Sequence, residues 1–447
     1  MDLHIIPITN EVNQDAFIIY RPLRQLAFVG NRAMVDLAQA ILQDGEQTFL
    51  GTAGKAETFL NEIGFLRPAL PIQSTLPTEF KPTTAVLLMT NQCQLRCTYC
   101  YAAAGTMPRE QLTIKQGCAA IDYVYQSAQE QGHPYFELSL HGGGEPTYAW
   151  HVLKECVAYA RQKPLPAQIG LTSNGIWSPT QREWILSHLD NVSISLDGSP
   201  QTQDEHRPFI SGAGSAEIVM QTIAALDQHN FQYGIRMTVT APWEHLPDDV
   251  AYICNQTNCP VIQAEPAFKT TPGGHVHGSA DDYAAFAMAF AMAYEIASQA
   301  GRHMFYSGAR LGLVTDSFCL APYNALIITP RGQLVTCYEI TDDNHPLASI
   351  STFGTYADNE FSIHENVRMH LHHLMDERHE SCKDCFCYHS CAGDCYTRAW
   401  GHQENGHLQH SLRCQLNRTL TQNLLLSAIS SGGGVWDGQQ QAHHVTA

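Results

Sequence analysis

Cys93-Gln94-Leu95-Arg96-Cys97-Thr98-Tyr99-Cys100 is the stretch on which the reading of this chain turns. It is a C-x3-C-x2-C triplet that follows directly on an apolar, β-branched run, TAVLLMT at 84–90, so it sits in a loop at the end of a strand. Three thiolates can hold three irons of a cubane cluster and leave the fourth iron open, and an open position separates reactive metal sites from structural ones. The competing reading is a three-cysteine zinc site completed by a distant histidine, for which the chain's 23 histidines offer material. Zinc sites favour paired C-x2–4-C motifs and a His spacing that no residue near Cys100 supplies.

Outward from the triplet, Thr83 to about Ala300 alternates. The runs TAVLLMT, YFELSLH, QIGLTSN, NVSISLD, YGIRMTVT and PVIQAEP are separated by segments long enough for helices, such as 113–130, 147–161 and 216–229. Six strands interleaved with helices imply right-handed βαβ units and an α/β fold, a partial six-stranded barrel over 83–305, with its chemistry at the C-terminal ends of the strands. Residues 1–80 read as a small α+β unit, with the extended stretches AFIIYRPL and QLAFVG leading into two helical patterns. The proline-studded segment RPALPIQSTLPTEFKP then marks a linker. Residues 310–425 show little periodicity and eight cysteines between Cys319 and Cys414, which suits a metal scaffold better than an apolar core. The tail, 431–447, reads as disordered.

Bulk properties narrow the class. The 447 residues suggest two or three domains. The 25 Lys and Arg stand against 43 Asp and Glu, a formal charge of −18 that repels phosphate backbones, so nucleic acid is not an expected partner. No apolar stretch is long enough to span a membrane, and the N-terminus shows no basic segment followed by an apolar block, so the expectation is a cytoplasmic protein. Fifteen cysteines in a reducing compartment point to metal or cluster binding rather than disulfides.

Further segments fall at the ends of successive strands: Gly143-Gly144-Glu145-Pro146, Thr172-Ser173-Asn174-Gly175, and Ser195-Leu196-Asp197-Gly198 followed by His206-Arg207. Each alone reads as a turn or strand cap. With the cysteine triplet, its aromatic Tyr99 and the six-strand pattern, their shared order resembles the radical S-adenosylmethionine (radical SAM) superfamily. The resemblance implies that Cys93, Cys97 and Cys100 hold a [4Fe-4S] cluster whose open iron binds the amino and carboxylate groups of S-adenosylmethionine. It implies a methionine-ammonium site at Gly143, Gly144, Glu145 and Pro146, with Tyr99, Ser173, Asn174, Ser195 and Asp197 also facing the cofactor. Arg207 is expected near the carboxylate, which suits an Arg fork.

A second array reads Cys319, Cys337, Cys382, Cys385, Cys391, Cys395 and Cys414, and its spacings resemble the SPASM domain of radical SAM peptide maturases. The resemblance implies an outer auxiliary [4Fe-4S] cluster on Cys382, Cys385, Cys391 and Cys414. The inner one then rests on Cys319, Cys337 and Cys395, with no further cysteine flanking Cys319, so an iron there is open or takes a ligand from elsewhere. Cys387 is extra to the pattern, and Cys118, Cys156, Cys254 and Cys259 read as small apolar fillers. Zinc ribbons are the alternative for this array, and a zinc-stabilised binding protein the alternative for the whole.

Three clusters imply net oxidation of a precursor peptide, fed by a donor such as flavodoxin or ferredoxin. Cross-linking is the expected outcome, ahead of thioether formation or epimerisation. Formylglycine synthesis is demoted, because sulfatase-maturing relatives have Asp after the counterpart of Cys337 and this chain has Tyr338. The N-terminal unit is expected to capture a leader peptide by strand addition or to cap the barrel. Arg236 and Glu265, by their place on strands five and six, are candidates to face the cavity, although a buried salt bridge would explain them equally.

Overall fold

The computed structural model describes residues 2–8, 15–44, 54–69, 76–77, 79–268, 278–399, 403–404, 407–408 and 412–438. The chain opens with β1 (His4–Pro7), β2 (Phe17–Arg21) and β3 (Leu26–Gly30), an antiparallel meander, followed by α1 (Arg32–Asp44) and α2 (Gly54–Glu62). Phe28, Leu60 and Phe65 knit these helices to the sheet in a small apolar core, with Phe28 edge-on to Phe65 at 5.7 Å.

The six apolar runs are all strands: β4 (Thr84–Leu88), β5 (Phe136–His141), β6 (Ala167–Ser173), β7 (Asn191–Ser195), β8 (Tyr233–Val239) and β9 (Val261–Pro266). All pair in parallel, in chain order. Helices α3 (Ile114–Glu130), α4 (Trp150–Arg161), α5 (Pro179–His188), α6 (Pro200–His206), α7 (Ala216–Gln228), α8 (Leu246–Gln256) and α9 (Ala280–Gln299) fill the crossovers. Their starts are chemically marked. Thr113 and Gln116 form a reciprocal capping box on α3, and Ser178 with Gln181 does the same on α5, where Pro179 occupies the first turn. Each such cap contributes about 1 kcal/mol.

The period-two pattern of the strands decides what the sheet presents to each side. Leu138, Leu140, Ile169, Leu171, Val192, Ile194, Ile235 and Met237 are buried in one cluster with the surrounding helices. The intervening residues include His141, Thr172, Ser195, Arg236 and Thr238, all lining a cavity. Strand alternation thus puts the apolar row against helices and the polar row inside.

The sheet exceeds six strands. β10 (His303–Phe305) adds in parallel beyond β9, and β11 (Ala325–Ile328) adds in parallel beside β4. Strands β12 (Gln333–Val335), β13 (Thr352–Ala357) and β14 (Glu360–Ile363) continue it antiparallel, to eleven strands in all among the described residues. This corrects the expectation that the cysteine-rich third lacks an apolar core. Val86 and Leu88 of β4 bury with Ile327, Val335 and Leu371 in a second cluster. The runs are short and interrupted by cysteine loops, which hides their periodicity.

The tail reading is corrected as well. Val435–Asp437 is a strand paired antiparallel with β3, so the N-terminal sheet runs β1, β2, β3, then this C-terminal strand. Trp436 is 3% exposed and its ring lies 6.1 Å from that of Tyr20, so burial of one large aromatic outweighs the glycine-rich approach. Residues 439–447 lie outside the described residues. The outer edge of β3 is therefore covered by the chain itself, leaving β1 and the C-terminal strand as the edges of this sheet among the described residues. Among the described residues no helix is long and apolar enough to cross a membrane.

Candidate functional site

The loops that follow β4, β5, β6 and β7 converge at one end of the parallel sheet. The cysteine loop is laced to its neighbours by backbone bonds: the Arg96 N–H donates to Pro208 O at 2.8 Å and the Thr98 N–H to His206 O at 3.0 Å. On its other side, the Gly144 N–H donates to Thr90 O and the Glu145 N–H to Gln92 O, both at 2.8 Å. This approach explains the glycine: a Cβ on Gly144 would stand 2.2 Å from the Gln92 carbonyl oxygen.

Cys93, Cys97 and Cys100 line the same cavity. Burial, reinforced by Glu145, pushes the Cys93 thiol up to about 12. Burial pushes Cys97 up to about 11 against the pull of Arg207. Thiols so placed stay protonated unless cationic iron or another metal takes the charge, and the backbone is arranged for sulfur that bears it. Amide N–H groups of Leu95 and Ala104 point at the Cys93 and Cys100 sulfurs at 3.4 and 3.5 Å, and the Asn174 amide reaches Cys93 Sγ at 3.6 Å. The donor set fits a three-thiolate cluster with an open side toward the cavity.

Glu145 is 2% exposed and is held by acceptance: Ser173 Oγ at 2.8 Å and Thr147 Oγ1 at 2.8 Å on one oxygen, the Asn174 N–H at 2.8 Å on the other. Burial outweighs these bonds and leaves its carboxyl above the ordinary range. Its second oxygen keeps a lone pair for an ammonium.

Behind the cysteine loop Asp197 is the hub of a buried cluster. Arg207 donates to it through two nitrogens, both at 3.0 Å, Thr238 donates its N–H at 2.9 Å, and the Tyr99 hydroxyl donates to the oxygen that Arg207 Nε holds. Burial works against the charge, but Arg207, His206 and Tyr99 outweigh it and hold the carboxyl at about 2. The Arg207 guanidinium also lies 5.3 Å above the Tyr99 ring, fixing the aromatic between two cysteines.

Of the residues singled out in the sequence, Tyr99, Gly143, Gly144, Glu145, Ser173, Asn174, Ser195 and Arg207 line a cavity of about 460 Å³. Pro146 and Asp197 stand behind its wall: Pro146 starts a short 3-10 turn, and Asp197 spends its oxygens on the Arg207 fork. The expectation that Asp197 faces the cofactor is replaced by a role as counter-ion. Arg207 accordingly meets the cavity with its fork already engaged. Arg236 and Glu265 line the cavity as anticipated, and Glu265 bonds Arg398 at 3.2 Å.

The second cysteine array divides into two groups. Burial raises Cys319, Cys337 and Cys395, and their charges act on one another. Cys395 Sγ lies 3.0 Å from the Thr397 hydroxyl and the Ala321 N–H points at Cys319 Sγ at 3.5 Å. In the other group Arg378 reaches Cys414 Sγ at 3.7 Å and Asn417 donates to Cys391 Sγ at 3.3 Å. Cys387 is 2% exposed beside Cys385, whose thiol it pulls down by hydrogen bonding. These donors aimed at sulfur fit thiolate ligation in both groups. Among the described residues no three His, Cys, Asp or Glu side chains converge as one metal ion would require.

The cavity residues that sequence reasoning missed include His141, Glu339, Arg398 and Arg413. Glu339 pairs with Arg398 at 3.7 Å, and Arg413 with Asp394 at 2.9 Å, where Asp394 lies between Cys391 and Cys395 in the chain. His141, directly before the glycine run, was the one with a local signal. Burial, aided by Arg236, lowers its ring to about 4 and keeps it neutral, tilted against Tyr338 with ring centroids 4.9 Å apart.

Residues 87–248 match the family described as the Radical SAM superfamily. Sporulation killing factor maturation protein SkfB of Bacillus subtilis (strain 168) is 27% identical over 286 residues, which is 61% of this chain and 64% of the relative. The match thus covers less than two thirds of that relative's length. Among solved structures, native anSMEcpe with bound AdoMet superposes with a TM-score of 0.61 at 17% identity, covering 78% of this chain and 99% of the other. SuiB of Streptococcus suis bound to precursor peptide SuiA gives 0.52 at 13% identity, covering 92% and 99%. At those identities the likeness establishes the fold.

Proposed function

We propose, on the premise that the chain is an enzyme carrying a radical SAM domain at 87–248, that it oxidatively modifies a precursor peptide, forming an intramolecular carbon–carbon cross-link. The carrying observation is that one cavity is lined both by Cys93, Cys97, Cys100 and Glu145 and by Glu339, Thr397 and Arg398, which flank Cys337 and Cys395. A substrate in it would lie against the cysteine triplet and against residues adjacent in the chain to Cys337 and Cys395. The matched relative is by name a maturation protein and one similar fold is seen with a precursor peptide, which supports a peptide here.

The radical SAM domain implies a [4Fe-4S] cluster and S-adenosylmethionine, which when bound supply a 5′-deoxyadenosyl radical for hydrogen abstraction. The residues do the rest. Cys93, Cys97 and Cys100 hold iron, and Gly143, Gly144 and Glu145 offer acceptors to the ammonium. Ser173, Asn174 and Ser195 line the nucleoside side, and the Asp197–Arg207–Tyr99 cluster stiffens the loop between the cysteines. Cys319, Cys337 and Cys395, and Cys382, Cys385, Cys391 and Cys414, would hold two auxiliary clusters, which when bound would offer an acceptor for the second substrate electron, while a flavodoxin or ferredoxin would serve as the electron donor for the first cysteine group.

The test is anaerobic reconstitution with S-adenosylmethionine, a reductant and the peptide encoded beside the gene. A product lighter by two hydrogens, with 5′-deoxyadenosine released, is the expected result. Unchanged mass with 5′-deoxyadenosine released would replace cross-linking by epimerisation, and absence of nucleoside would overturn the assignment.

A further inference from the structure

The inner group of the second array offers three thiols, Cys319, Cys337 and Cys395, whose charges act on one another. A four-iron cubane held by three thiolates needs a further ligand or leaves one iron open. Cys387, the extra thiol, does not make up the number. Its Sγ faces Asn417 O at 3.9 Å, it bonds with Cys385, and its charge meets that of Cys391, so it belongs with the outer group.

The polar side chains next to the three cysteines have other commitments. The Thr397 hydroxyl lies 3.0 Å from Cys395 Sγ, and Tyr338 turns its ring to His141. Asp394 accepts from Arg413 at 2.9 Å and from the Cys395 N–H at 2.7 Å, while its charge bears on Cys391 of the outer group.

Glu339 is the exception. It stands two residues after Cys337, in a turn that the Ile340 N–H closes on Cys337 O at 3.2 Å. Ile340, 1% exposed, anchors that turn in the apolar cluster of Val86 and Leu88. The Glu339 N–H is turned to the Cys337 sulfur. Its carboxylate reaches toward Arg398, which lies three residues after Cys395 in the short helix Tyr396–Ala399. The carboxylate thus spans from one inner cysteine toward another. The gap to Arg398 is 3.7 Å, beyond hydrogen-bond range, and Arg398 gives its other terminal nitrogen to Glu265 at 3.2 Å. Among the described residues nothing else bonds the Glu339 carboxylate, and its side chain is 20% exposed at the cavity wall.

Electrostatics singles out the same residue. After burial itself, the Glu339 charge does most to raise Cys337, and it raises Cys395 as well against the pull of Arg398. Three thiols and a carboxylate gathered out of water repel one another once ionised. A cationic metal centre turns the same gathering into a ligand set.

We propose that Glu339 is the fourth protein ligand of the inner group, a carboxylate oxygen completing what Cys319, Cys337 and Cys395 begin. This rests on the reading of the second array as cluster ligands. Its consequence is that the inner group is closed to substrate, so that it serves the cavity as an electron acceptor without binding the peptide.

An iron with no protein ligand is the one a cubane loses on mild oxidation, leaving a paramagnetic three-iron centre. The full-length protein is reconstituted anaerobically, saturated with S-adenosylmethionine to occupy the first group, treated with ferricyanide and read by electron paramagnetic resonance, with iron and sulfide assayed alongside. The unaltered protein is expected to hold about twelve irons per chain, and Glu339→Ala to add about one three-iron spin per chain to whatever signal it gives. Glu339→Cys, which restores a ligand, removes that added spin. The same rise in Cys97→Ala protein shows that it does not come from the first group. Should Glu339→Ala fold poorly, Glu339→Gln keeps the shape, removes the charge and gives the same comparison. No rise overturns the proposal. A signal strong from the outset then means an iron already open, and one weak throughout passes the position to another side chain, Asp394 with its second oxygen buried and unbonded being the next candidate. Iron that never exceeds about four per chain would sink the cluster reading of the second array together with the ligand.

Discussion

Arg207 and Asp197 form a two-pronged ion pair, Nε to one carboxylate oxygen and a terminal nitrogen to the other, both at 3.0 Å, with the carboxylate wholly out of water. Breaking one side leaves the other charge buried and unmatched. Asp197→Asn is expected to lower unfolding free energy by about 3–5 kcal/mol. Denaturant titration of the reconstituted protein measures it, and a loss within error of zero would show the pair to be dispensable.

Gly144→Ala places a methyl group 2.2 Å from the Gln92 carbonyl oxygen, backbone against backbone, in the loop that begins the cysteine triplet. The loop must shift, and the ammonium acceptors with it. S-adenosylmethionine affinity is expected to fall by about tenfold or more, read by calorimetry on reconstituted protein. Far-UV circular dichroism should stay unchanged.

Iron content separates the cysteine groups. Cys97→Ala and Cys395→Ala are each expected to remove about four irons per chain, the content of one cubane. Cys118→Ala, on the half-buried face of α3 away from these groups, should remove none. Equal iron in all three variants would refute the ligand assignments, and zinc in place of iron and sulfide would favour the binding-protein alternative.

Much of this was open to a reader of the sequence alone, for physical reasons. Strands such as FELSLH and AQIGLTS advertise themselves because period-two burial forces apolar and polar residues to alternate. The loop chemistry at their ends is written in contiguous residues, from Cys93 to Cys100 and from Gly143 to Glu145. What stayed hidden depends on partners far apart in the chain. Glu265 meets Arg398 across 133 residues, and Asp394 meets Arg413 across 19. Nothing local marks Arg398 as the partner of Glu265. Asp197 was misplaced for a related reason, since strand-end position shows that a carboxylate is near the site but not which way it turns.

His141 gives the stability a pH signature. Its folded ring is lowered from 6.5 to about 4, so between those values the unfolded chain takes up a proton that the folded chain refuses. Its contribution is present above pH 6.5 and is lost as pH falls toward 4. Unfolding monitored across that window should show a decline that His141→Gln flattens. A variant with an unaltered slope would mean that other groups cause it.

Trp436→Ala is expected to cost about 3–5 kcal/mol, as for other large buried aromatics, and to loosen the N-terminal sheet first. Hydrogen exchange of the β3 amides is the measurement. Unchanged protection there would show that the C-terminal strand contributes nothing to that sheet.

The pairing of Val435–Asp437 with Leu26–Phe28 also sets an order of events during synthesis. The first 30 residues leave the ribosome without their fourth strand, which is made only after both cysteine groups have been translated. Completion of the N-terminal sheet therefore reports that both cysteine groups have already been made, and a nascent protein stalled at the second cysteine group presents an open β3 edge to whatever is nearby.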